Sequence, residues 1–197
     1  QPDTVAKKDP FDQHPSRVFR SVGTTIFKSG WDTDDFVFVM RTGPFYNHQH
    51  LDHGTFWFAD RGTEFITERD GSHYYDDQFY ESRYTQPVGH STILIDNNHQ
   101  SQRNGDQLEM AEGFSDHAFI THYLEGDDAA FSQGDIGRLY WGKVKSMQRN
   151  ALYLKPNAVL LLDTVVPGEV DYDITQLFQT HHLHDITARQ ASSTITK

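Results

Sequence analysis

The chain has 197 residues, 36% of them hydrophobic and 23% charged, with a formal net charge of −11 and no cysteine. This describes a globular domain with its own core, and the acidic balance excludes a general grip on nucleic acid, which needs a basic face. The lack of cysteine excludes a disulfide scaffold and a thiolate metal site, and no apolar run reaches the roughly 18 residues of a membrane span.

Residues 1–15 combine prolines with mixed charge and little apolar content, and read as a linker or loosely held arm. The domain proper is expected over residues 16–197. Val18 to Lys28 reads as a strand, and Gly30-Trp31-Asp32 as a turn. Phe36 to Met40 is an aromatic and β-branched run of buried-strand type. Thr55 to Ala59 and Thr63 to Thr67 flank Asp60-Arg61-Gly62 as a hairpin. A polar, tyrosine-rich stretch from Arg69 to Gly89 follows, long for a plain connection and so a candidate functional loop. Further strands are expected at Ser91 to Asp96, Gln107 to Ala111, His117 to Leu124, Leu139 to Lys145, Arg149 to Leu154, Val159 to Val166 and Tyr172 to Gln179. The longest apolar stretch, Ala158 to Leu162, is strand-sized. Many short strands, turn residues at short spacing and no capped amphipathic helix predict an all-β fold, an antiparallel β-sandwich. The chain opens at Gln1 without a signal-peptide pattern and closes on Ser192 to Lys197, which reads like an interrupted strand or tail; a fragment of a larger protein is expected.

Twelve histidines are a heavy load for this length, and six lie between His48 and His99. The densest segment is Asn47-His48-Gln49-His50-Leu51-Asp52-His53-Gly54. On an extended segment residues two apart share a side, so His48, His50 and Asp52 are candidates to converge. Imidazole with carboxylate is a natural donor set for a borderline metal such as Zn²⁺.

The segment His48-Gln49-His50-Leu51-Asp52-His53-Gly54-Thr55-Phe56 resembles the His-x-His-x-Asp-x-Gly-x-Phe signature of heparinase II/III-type polysaccharide lyases. Lys28-Ser29-Gly30-Trp31-Asp32 is similar to that family's approach strand, with Lys28 in place of arginine. Gly89-His90-Ser91-Thr92-Ile93-Leu94-Ile95-Asp96, followed by Gln100, resembles its second histidine motif, and Arg149 to Asp163 its later paired strands. The resemblance implies metal ligands at His50, Glu68 and His90, with zinc as the usual metal; Asp70 competes with Glu68 for the acidic position. It places His48 beside the substrate and gives a loop tyrosine, Tyr74, Tyr75, Tyr80 or Tyr84, a part in proton transfer, with Tyr75 fitting best. It implies β-elimination on an acidic, uronate-containing polysaccharide, an N-terminal helical toroid as the partner that completes the active site, and a periplasmic or secreted location, with which the absence of cysteine agrees.

Such a reaction needs a base for the proton α to the carboxylate, an acid for the leaving oxygen and a group to neutralise the carboxylate. Arg41, Arg61, Arg69, Arg83 and Arg103 are the local cations available for that polymer in an acidic chain. Two rival readings stand beside this one. A cupin also presents His-x-His, but here no Glu follows within five residues of His50, and Pro87 to His90 lacks the second motif's spacing. A non-catalytic carbohydrate-binding or structural sandwich with a structural metal would carry much the same sequence, since fold does not settle function.

Overall fold

The computed structural model describes residues 15–45, 50–68, 75–99, 102, 117–140, 142–170 and 172–181. The described regular structure is almost entirely β. Five strands, β1 (Arg17–Phe19), β2 (Thr24–Lys28), β3 (Val37–Arg41), β4 (Phe56–Asp60) and β5 (Thr63–Ile66), form one antiparallel sheet in chain order. The short strand β6 (Ile93–Ile95) pairs with β11 (Ile174–Gln176). The third sheet has β7 (Phe119–Glu125), β8 (Ala129–Asp135), β9 (Val144–Leu154) and β10 (Ala158–Pro167), all antiparallel, with β7 and β10 at its edges. The predicted sandwich is what forms.

Alternation explains which faces meet. Phe27, Phe38, Met40 and Phe56 of the first sheet and Ala130, Ala151 and Tyr153 of the third are buried together, joined by Phe36. Tyr153 stacks on Phe36 and Phe27 with centroids 5.0 and 5.4 Å apart. Thr25 and Ser132 hydrogen-bond across the layers at 2.7 Å. A second cluster of Phe45, Leu51, Ile93, Ile95, Ala118, Ile136, Leu139, Tyr140 and Met147 packs the β6–β11 ribbon onto the rest. Leu51 belongs to the second cluster and Phe56 to the first, so the chain passes from one core to the other just after His50.

Three expectations need correction. Val18 to Lys28 is not one strand: the chain turns between β1 and β2, where Gly23 takes φ +70°. Leu139 to Lys145 is not a strand either. Leu139 and Tyr140 are both buried, whereas adjacent strand residues point to opposite faces; a 3-10 turn over Gly137–Tyr140 turns both inward, and β9 starts only at Val144. The segment after His50 is not extended. Leu51 to Gly54 bends, Thr55 N bonds Asp52 O at 2.9 Å, and Gly54 takes φ +81°, so the two-residue alternation linking His50 to Asp52 does not hold. The expected strand at Gln107 to Ala111 lies outside the described residues, as does the arm of residues 1–15 apart from Pro15.

Candidate functional site

The site forms where β4 begins and β5 ends, beside the start of β6. His50 is held by the bend between β3 and β4: the next residue, Leu51, bonds through N to Thr85 O at 2.9 Å, tying the bend to the tyrosine-rich stretch. Glu68 follows β5. His90 directly follows a 3-10 turn, Pro87–Gly89, that backs onto a π-helical turn over Tyr80–Tyr84. Gly89 packs so tightly there that a Cβ would sit 2.5 Å from Arg83 O.

These elements bring the three expected ligands together. His90 Nδ1 makes a close contact with Glu68 Oε2. The His50 and His90 rings lie 5.3 Å apart, tilted by 45°. His90 is buried, and burial alone would push its pKa down. The hydrogen bond and charge of Glu68, with help from Asp52 and the Tyr84 backbone, outweigh burial and raise it. His50 moves the other way: burial first, then the neighbouring charge of His90, pushes it below the ordinary histidine value. The two rings of the site are thus tuned in opposite directions, His90 toward holding a proton and His50 toward losing one.

The donor chemistry, two imidazoles and a carboxylate, suits zinc better than cations that prefer all-oxygen shells. His90 Nε2 is buried, and it is the Nδ1 edge of the ring that faces Glu68. No ready-made cage of three His, Asp or Glu side chains exists among the described residues; His90 Nδ1 and Glu68 Oε2 instead face each other directly. Two parts of the expected site are not in view: His48 and Asp70 lie outside the described residues. Tyr75 is 64% exposed, its ring edge-on to Tyr80 at 5.0 Å. Tyr80 is pushed above the ordinary phenol value by burial, then by the charge and hydrogen bond of Tyr75.

The candidate arginines separate clearly. Arg41 is neutralised by Asp52 at 2.9 Å and Arg61 by Asp60 at 3.1 Å; Arg69 and Arg103 lie outside the described residues. Arg83, on the π-helical turn, is half-buried, and its Nε makes no hydrogen bond among the described residues.

The supporting residues were missed in the sequence. Arg149 on β9 is fully buried inside the sandwich. Its guanidinium forms a two-pronged bond to Asp163, directly opposite on β10, at 2.8 and 2.7 Å. It also donates to Gly54 O, to Ser91 O at 3.2 Å and to Gln176 Oε1. One cation thus ties the histidine bend, the His90 segment, β10 and β11. Its signal in the sequence is an arginine at an inward position of an alternating strand, opposite an inward aspartate. Thr55 is likewise buried, donating to Glu68 Oε1 at 2.6 Å and accepting from Ser91 N at 3.1 Å. Gly54 explains its own place in the motif: its φ of +81° is disfavoured for other residues, and a Cβ there would meet Ile136 Cδ1 at 3.0 Å.

By sequence, the family model described as "Heparinase II/III-like, C-terminal" matches residues 12–195. No curated protein matches by sequence. Among solved structures, the heparan sulfate lyase HepC from Pedobacter heparinus is similar at 21% identity and TM-score 0.60, over 77% of this chain and 22% of that one. The heparinase III BT4657 gene product is similar at 18% identity and TM-score 0.67, over 90% of this chain and 25% of that one. A further heparinase III structure has 16% identity and TM-score 0.63, over 78% and 23%. At these identities the structural likeness shows the fold, and the chain spans about a quarter of the length of each neighbour. With the family model spanning nearly the whole chain and the sandwich shared with those neighbours, the chain belongs to the heparinase II/III-like C-terminal family.

Proposed function

We propose that this chain is the metal-binding β-domain of a polysaccharide lyase that cleaves acidic, uronate-containing polysaccharide by β-elimination. A helical domain completes the active site, and the protein works outside the cytoplasm, in the periplasm or beyond, where such polymers are met. The observation that carries the reading is the meeting of His50, Glu68 and His90, from three separate segments, at one largely buried place. Neighbours named as a heparan sulfate lyase and heparinases support the same substrate class.

His50, Glu68 and His90 would hold one divalent metal, preferably Zn²⁺. Such a metal supplies Lewis-acid polarisation of a carboxylate, or a structural tie for the surrounding loops. His50, with its depressed pKa, offers a neutral nitrogen lone pair. His90 would have to be unprotonated to act as a ligand, and its raised pKa makes binding weaken in acid. His48 donates to the sugar carboxylate or the leaving oxygen. Tyr75, exposed on the tyrosine-rich stretch, carries the proton in the elimination, while Tyr80 keeps its own proton as a donor toward it.

Metal analysis tests the first part. Purified protein is expected to hold about one zinc per chain, and His50→Ala and His90→Ala to lose it and melt earlier, since a metal bound only by the folded state stabilises that state. Unchanged zinc in both variants rules the site out. For the second part, the chain joined to its helical partner is assayed by the ultraviolet absorbance of the unsaturated product. His48→Ala and Tyr75→Phe are expected to abolish turnover with metal retained. Near-normal turnover removes that residue from the mechanism, and loss of metal in His48→Ala makes it a partner that orients a ligand.

A further inference from the structure

Position 55 is one that the His-x-His-x-Asp-x-Gly-x-Phe pattern leaves open. Its residue, Thr55, is fully buried between the bend that carries His50 and the first residue of β4. Its backbone is fixed on both sides, N to Asp52 O at 2.9 Å and O to Arg41 N at 3.0 Å. Next to it, Gly54 O is gripped by Arg149. The Thr55 backbone therefore has little freedom to shift.

The hydroxyl on this fixed backbone makes two bonds with defined directions. It accepts from Ser91 N at 3.1 Å and meets Glu68 Oε1 at 2.6 Å. An amide can only donate and a carboxylate can only accept, so the single hydroxyl proton belongs to the Glu68 bond. The far oxygen of that carboxylate, Oε2, faces His90 Nδ1. Ser91 follows His90 in the chain, so the contacts close a ring: His90 ring, Glu68 carboxylate, Thr55 hydroxyl, Ser91 amide, and back through one peptide to His90. In such a ring the orientation of the carboxylate relative to the imidazole is set by the hydroxyl between them.

We propose that Thr55 is a positioning residue whose hydroxyl fixes the Glu68 carboxylate against His90, and through it the geometry these two groups present to a divalent cation. The proposal rests on the metal reading above. A threonine that only filled space would owe its place to its methyl group. Here the hydroxyl is the part that matters, which separates the two roles experimentally.

The test compares Thr55→Val, which keeps shape and loses the hydroxyl, with Thr55→Ser, which keeps the hydroxyl and loses the methyl. Zinc affinity of the chain is measured by competition with a chromogenic chelator, with the fold checked by circular dichroism. Residues that support ligands typically contribute about 10- to 100-fold in metal affinity, so Thr55→Val is expected to weaken zinc by that factor and Thr55→Ser by no more than about threefold. Wild-type affinity in Thr55→Val, or equal loss in both variants, overturns the proposal. If the valine variant does not fold, Thr55→Ala against Thr55→Ser isolates the hydroxyl in the same way. If the wild-type chain binds no zinc, the metal reading fails, and the positioning role is decided by nitrogen NMR of the His90 ring in zinc-free protein. An Nδ1 signal displaced in Thr55→Val and restored in Thr55→Ser upholds it, and one unmoved in Thr55→Val overturns it.

Discussion

His53 provides a quantitative test of the buried architecture next to the site. Its side chain is fully buried, its ring meets Phe45 edge-on at 4.2 Å, and neither ring nitrogen has a hydrogen-bond partner among the described residues. Burial pushes its pKa from the ordinary 6.5 down to about 4. The unfolded chain takes up a proton near 6.5, whereas the folded chain resists until about 4. Between these values the unfolded state binds more protons, so stability falls as the pH falls through that window. At 1.36 kcal/mol per tenfold step, the full loss is about 3 kcal/mol below pH 4, and about 2 kcal/mol is already gone at pH 5. The perturbation is His53→Leu, which puts a side chain of similar size with nothing to protonate against Phe45. Urea unfolding of both proteins from pH 7 to 4.5, with chelator present, gives the difference in stability at each pH. Taking the difference removes the contributions of His50 and His90. The leucine variant should gain about 2 kcal/mol on wild type between pH 7 and 5. Parallel stability curves would refute the reasoning, because His53 would then ionise as freely in the folded protein as in the unfolded chain.

Two further predictions concern the supports of the site. Asp163→Ala leaves the buried Arg149 guanidinium without its carboxylate; the expected cost is about 3 kcal/mol, the lower end for breaking a buried pair because Asp163 is partly solvated, read as a lower urea midpoint at unchanged slope. Gly54→Ala must hold φ near +81° and press on Ile136, so a loss of roughly 1–3 kcal/mol with weakened zinc binding is expected; a melting temperature equal to wild type would count against it.

Much of the fold was legible because alternation is a property of neighbours in the chain. The runs Phe36 to Met40 and Arg149 to Leu154 read as strands from their residue types and form β3 and β9, and the Asp60-Arg61-Gly62 turn sits where its residues predict. Expectation failed where tertiary packing overrode the local pattern. Leu139 and Tyr140 look like strand residues, yet they serve as adjacent plugs under Ile93, with the Tyr140 hydroxyl donating to Ile93 O at 2.8 Å. Within the site, the histidines stood out by type and density. Their supports did not, since Thr55 and Arg149 gain their meaning from partners 13 to 95 residues away. Asp52 illustrates the opposite error: a ligand-type residue in the right motif that is held by Arg41 instead.

Arg149 also orders events in time. Every proposed ligand lies within the first 90 residues, but the guanidinium that grips the carbonyls of Gly54 and Ser91 comes 95 and 58 residues after them. Closing loops of that length costs entropy that only late-arriving contacts can offset. A chain emerging from the ribosome therefore exposes both histidine motifs well before it can assemble them. A premature stop anywhere between the second motif and β9 would leave a polypeptide with all the proposed ligands but without the arginine that ties their two segments to the third sheet.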